Sequence, residues 1–113
     1  MANHLRLWTT DLAEGRGPRF DELAMTHSVP LFRTLPGCVG AVFARSETKG
    51  YVLTAWTDAA AAEEASKAPP YREAVQFIAR SGVMAGSQSL EPLTIAAGFS
   101  LPEMAAMFSL SRA

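Results

Sequence analysis

The chain is poor in the residues that bind metals and form covalent links. It has 113 residues, with 1 cysteine and 2 histidines. A lone Cys38 cannot close an internal disulfide. With only His4 and His27 beside it, no Cys/His set has zinc spacing. Basic charge is not in excess: 10 Lys and Arg stand against 11 Asp and Glu, a net charge of -1, and the cations are scattered rather than striped. No nucleic-acid partner is expected from that pattern. No apolar run approaches the ~18 residues of a membrane-spanning helix. The start, Met1-Ala2-Asn3-His4-Leu5, lacks the basic lead and apolar core of a signal peptide, so a cytoplasmic protein is expected, with no membrane association. Gly15-Arg16-Gly17 and Gly37-Cys38-Val39-Gly40 lack the spacing and flanks of a phosphate-cradling loop. Neither a nucleophile elbow nor a paired-histidine metal motif is present. Cys38, at a strand start, reads as a small hydrophobe rather than a nucleophile.

What remains is enough for one core: 49% of residues are hydrophobic and 19% charged, the balance of a single globular domain. Residues 4 to 10 alternate, with Leu5 and Leu7 on one side and His4, Arg6 and Trp8 on the other, which predicts a strand. Asp11 to Gly17 is polar and predicts a loop. Pro18 suits a first helical turn, and Phe20, Leu23, Ala24, His27 and Leu31 then recur at helical spacing. Pro30 is expected to kink or break this helix near Ser28, and Leu35-Pro36-Gly37 ends it. Cys38 to Arg45 and Tyr51 to Trp56 read as strands joined by a turn at 46–50, in which Gly50 is free to take a positive φ. Asp58 or Thr57 can cap a helix over the alanine run 59–65. Pro69-Pro70 interrupts, and 71–81 places Tyr71, Ala74, Val75 and Ile78 on one face. Gly82 follows as a C′ residue. Leu90 to Ala96 reads as the last strand, with Pro92 marking an edge or a bulge.

The order is strand, helix, strand, strand, helix, strand. With right-handed crossovers this is the split βαβ, or ferredoxin-like, α+β arrangement: an antiparallel βαββαβ sheet with helices on one face. The strands around Val42 and Leu53 are apolar on both faces, a pattern of burial on both sides. Two covers for the second face are open. One is a homodimer packed sheet against sheet over Tyr51, Leu53 and Ala55; the other is residues 97–113 folded back. Residues 1–98 are read as the domain and 99–113 as a tail. In the tail, Ser100-Leu101-Pro102-Glu103 has the form of a capping box and predicts a short helix carrying Leu101, Met104 and Phe108. That helix is expected to pack on the partner subunit or to act as a lid.

From Leu35-Pro36-Gly37-Cys38 through Trp56 to Tyr71-Arg72-Glu73, the chain resembles the antibiotic biosynthesis monooxygenase domain family. Members share a Pro-Gly-Cys-like strand start, a strand ending in Trp, an alanine-rich helix and an aromatic-Arg motif on the next helical piece. The resemblance covers about residues 4 to 96. It implies a ferredoxin-like fold dimerised through its sheets as an α+β barrel, with a pocket between sheet and helices. It also implies one of several activities: cofactor-free oxygenation of aromatic polyketides, haem degradation, or small-molecule isomerisation.

The resemblance gives each candidate residue an implied role beside an ordinary one. Trp56 lines the pocket and stacks on a flat substrate, or closes the core. Arg72 stabilises a developing oxyanion, or pairs on the surface with Glu73 or Glu64. Tyr71 donates to a substrate carbonyl, or packs beneath its helix. His27, on the apolar face of the first helix, serves as a general base, or stands as a neutral buried histidine. Trp8 and Thr54 face the pocket side on strand parity. The chain departs from the family at three places. Ala65 stands where His or Trp is frequent, Ala74-Val75-Gln76 lacks a haem-ligating His, and Val52 replaces an Asn of the polyketide oxygenases. These changes predict a less polar, roomier pocket and argue against haem breakdown.

The expected function is therefore a cofactor-free, metal-free monooxygenase acting on a small aromatic or quinol-like substrate with O2. In it, Trp56, Arg72 and His27 act in catalysis, and Tyr71, Thr54 and Trp8 bind substrate. Two alternatives stay open. One is a non-catalytic dimer that binds an apolar ligand; the other is a haem-binding protein that uses His27.

Overall fold

Alternation carries the chain into its first strand, β1 (His4–Leu12), and the structure, a computed structural model, describes residues 3–99. Pro18 stands in the first turn of helix α1 (Gly17–Leu23). A π turn (Ala24–Ser28) joins it to α2 (Val29–Thr34). Strands β2 (Cys38–Arg45) and β3 (Lys49–Trp56) form a hairpin. Helices α3 (Ala59–Lys67) and α4 (Pro69–Arg80) lead to β4 (Met84–Thr94). The sheet is antiparallel with the order β2-β3-β1-β4, the ferredoxin-like order. Asp58 is the N-cap of α3, its carboxylate accepting from the Ala61 N–H at 2.8 Å.

Several expectations need correction. Pro30 does not break the first helical segment. It sits in the first turn of α2, where its missing N–H is tolerated. Just before it the backbone widens by one residue, and the Val29 N–H reaches the Ala24 carbonyl, five residues back. Gly50 takes no positive φ. It lies inside β3, where a Cβ would stand 2.6 Å from the Phe20 ring. Asp11 and Leu12 extend β1 into the expected loop. The last strand begins six residues earlier than its apolar pattern, at Met84, and ends at Thr94. It is an edge strand, which accommodates Pro92. A register shift between Thr10 and Asp11 matches Gly86 at φ 59°, beside the Asp11 carboxylate. The Ser100 capping box and the tail helix lie outside the described residues.

Gly37 shows why a Pro-Gly turn precedes β2. Its φ is 83°, a Cβ would meet that of Ala61 at 2.5 Å, and its carbonyl accepts from the Thr57 N–H at 2.8 Å. Only glycine allows both the turn and the close approach to α3.

The core is in two parts. Leu12, Phe20, Leu23 and Val83 pack at one end, and Leu35, Trp56, Ala62 and Ala65 at the other. The helix-side positions of the sheet, among them Val52, Thr54 and Trp56, are buried. On the opposite face, Leu53 and Val42 are cross-strand partners and stand 36% and 37% exposed.

Candidate functional site

Between the two core clusters, the sheet and helices enclose a cavity of about 130 Å³ that opens partly to solvent. Strand parity supplies its floor: Arg6 and Trp8 from β1, Phe43 from β2, Val52, Thr54 and Trp56 from β3. Helix spacing supplies its roof: Leu31 and Phe32 from α2, and Tyr71, Ala74, Val75 and Ile78 from α4. Phe32 is the hub of the aromatic wall, with ring centroids 5.9 Å from Phe43, 6.4 Å from Trp56 and 6.0 Å from Tyr71, all edge-on. The volume is close to the ~150 Å³ that holds one benzene ring, so the cavity is not the roomy one expected from Val52 and Ala65.

The candidate residues divide. Trp8, Thr54, Trp56 and Tyr71 meet in the cavity wall. Trp56 is 1% exposed, and its indole N–H donates to Thr54 Oγ1 at 2.8 Å. Most of its surface is already covered, so it offers little free face for stacking. Arg72 does not reach the cavity and is exposed. It follows Tyr71 by one position, a rotation of roughly 100° around α4, which turns it away from the face formed by Tyr71, Ala74, Val75 and Ile78. His27 is exposed as well, its ring centroid 4.3 Å from that of Phe77. The π turn is the cause: its extra residue puts Ser28, not His27, on the cavity side after Ala24.

One residue escaped the sequence reading. Arg6 is partly buried, and Nη1 donates to the Ala62 carbonyl of α3 at 3.1 Å. It is the cavity's one cation, and no carboxylate or histidine lines the wall among the described residues. The signal that could have found it is parity, since Arg6 shares the face of Trp8. The titration shifts lie elsewhere. Burial pushes the Cys38 thiol up, away from a reactive thiolate. Arg45 and Lys49 hold the Asp21 and Asp11 carboxyls below their usual range. Among the described residues no group of three or more His, Cys, Asp or Glu is placed to hold a metal ion. No described helix is long and apolar enough to cross a membrane.

Fold and cavity together define an α+β domain of ferredoxin-like topology with an aromatic-walled, mostly apolar pocket under its helices. This is the fold of the antibiotic biosynthesis monooxygenases. A monooxygenase from the gene ActVA-Orf6 of Streptomyces coelicolor, solved with the ligand nanaomycin D, is 19% identical. It superposes with a TM-score of 0.71 over 89% of this chain and 93% of that one. SnoaB, a cofactor-independent oxygenase from Streptomyces nogalater, is 18% identical, with a TM-score of 0.67 over 90% of this chain and 100% of its own. A protein of unknown function from Nitrosomonas europaea reaches 0.73 at 14% identity, over 90% and 96% of the two chains. At these identities the likeness is one of fold. No family model matches the sequence, and no curated protein does.

Proposed function

We propose that the chain is a monooxygenase that oxidises a compact phenol- or quinol-like aromatic with O2, without a bound cofactor, and that it works as a homodimer. The observation that carries this reading is the aromatic-walled cavity, set in a fold shared with proteins described as oxygenases. For a phenol with a free para position the reaction balances without an added reductant. The ring C–H para to the hydroxyl becomes a carbonyl. One oxygen atom stays on the ring, and the other leaves as water with the C–H and O–H hydrogens. The substrate supplies all four electrons.

The protein's share is positioning and exclusion of water. Phe32, Phe43 and Tyr71 confine a flat ring, and Thr54, already accepting from Trp56, has its own O–H to offer. With neither carboxylate nor histidine in the wall among the described residues, a substrate that already carries its charge fits best. The same missing base favours a second reading, a dimer that binds an aromatic metabolite without turning it over. The haem reading loses its ligand with His27 outside the cavity.

Oxygen uptake by metal-free protein over single-ring phenols and hydroquinones tests the proposal. Wild type and Arg72→Ala are expected to consume O2 alike. Val75→Trp, which fills the cavity from a position 49% exposed, is expected to lose at least about tenfold. Ligand binding without uptake on any substrate moves the assignment to the binding protein.

A further inference from the structure

A partly buried guanidinium on the floor of an apolar cavity calls for an explanation, because a cation drawn partly out of water is favoured beside a partner. Arg6 has five N–H donors. One hydrogen bond, to the Ala62 carbonyl, ties it to α3. No ion pair among the described residues includes it. Directly opposite on β3, in register, stands Thr54. Opposed residues on antiparallel strands bring their Cβ atoms within about 5.5 Å, and both side chains face the cavity. Thr54 is 5% exposed and its oxygen accepts from the Trp56 indole, which leaves the hydroxyl proton to be donated. A charged donor and a polarised hydroxyl thus stand side by side on the floor of a pocket that, among the described residues, holds no negative group.

We propose that Arg6 and Thr54 form an anion seat, and that the cavity selects small aromatic molecules bearing an anionic oxygen, carboxylate or phenolate, over their neutral counterparts. The inference shares with the proposed function only the premise that this cavity is the ligand site; it does not require turnover. Arg6 holds the oxygen by charge-assisted hydrogen bonds, Thr54 adds a third donor, and the aromatic wall confines the ring.

Calorimetric titration under argon with three single-ring probes tests this: benzoate, pentafluorophenol, which is ionised at neutral pH, and neutral phenol. Wild type is expected to bind both anions at least about tenfold more tightly than phenol, the value of one charge-assisted hydrogen bond. If the carboxylate alone shows the preference, the seat is specific to aromatic acids; if the phenolate alone shows it, to acidic phenols. In Arg6→Met the preference is expected to vanish while phenol affinity stays. Arg6→Lys should retain part of it, since a point charge replaces a fork. An Arg6 that only staples β1 to α3 would lower the melting temperature in Arg6→Met and leave the preference intact. The wild-type comparison needs no variant, so a misfolded Arg6→Met does not protect the idea. Equal affinity for charged and neutral probes, or no binding of any probe, overturns the seat. Selective binding without oxygen uptake overturns the oxygenase and leaves the seat standing. Uptake with indiscriminate binding does the reverse.

Discussion

Gly50 links a missing side chain to both core and cavity. The Phe20 ring lies where a Cβ at residue 50 would point, and Phe20 belongs both to a core cluster and to the cavity wall. Gly50→Ala must push that ring aside, so it is expected to destabilise by about 1–3 kcal/mol in urea unfolding and to weaken ligand binding as well. At this scale the sequence is legible in parts. Trp8, Thr54 and Trp56 could be placed by strand parity, because a period of two leaves a residue only two directions. Helical residues were harder. Arg72 is one position from the cavity face and His27 one π-turn residue from it, and periodicity alone does not fix a rotation that fine. Arg6 was placed on the correct side with Trp8, yet its charge hid it: nothing local in a sequence distinguishes a cation bound for a cavity from one bound for water.

Among the elements, α3 depends most on its cap. It is short and alanine-rich, and it carries Ala62 and Ala65 into the core beside Trp56. Asp58→Ala removes the acceptor for the Ala61 N–H and is expected to cost about 1 kcal/mol in thermal or urea unfolding; Asp58→Asn, which can still cap, should cost little. The start of α3 and the turn before β2 were readable because Asp58, Pro36 and Gly37 each act through local backbone geometry; the role of Gly50 and the start of α4 at Pro69 were not. Nor was the start of β4. Gly86-Ser87-Gln88-Ser89 is polar and exposed on a sheet edge, held by pairing with β1 rather than by a buried pattern. The π turn was invisible for a related reason. Pro30 announces a disturbance, and whether a helix answers by breaking or by widening is decided by what it packs against.

Across the molecule, the outer face of the sheet is the unfinished surface. Val42 and Leu53 lie there in register, exposed and apolar, and the proposed homodimer covers them face to face. Leu53→Glu is expected to yield a folded monomer in sedimentation velocity where wild type sediments as a dimer; a wild-type monomer would remove the dimer from the proposal. The element order and the two-sided apolar strands made the architecture legible, since each follows from patterns that span whole elements. The cavity was not legible, because it is a gap between parts and no residue encodes it alone.

That gap also bears on descent. Leu23, Val83, Trp56 and Ala62 anchor the fold from its two ends, while Phe43, Ala74, Val75 and Leu90 face the space between without belonging to either cluster. A residue that borders empty space forfeits few contacts when it changes. Such positions can drift freely while the anchors hold, so a lineage can exchange one ligand for another without passing through an unfolded ancestor.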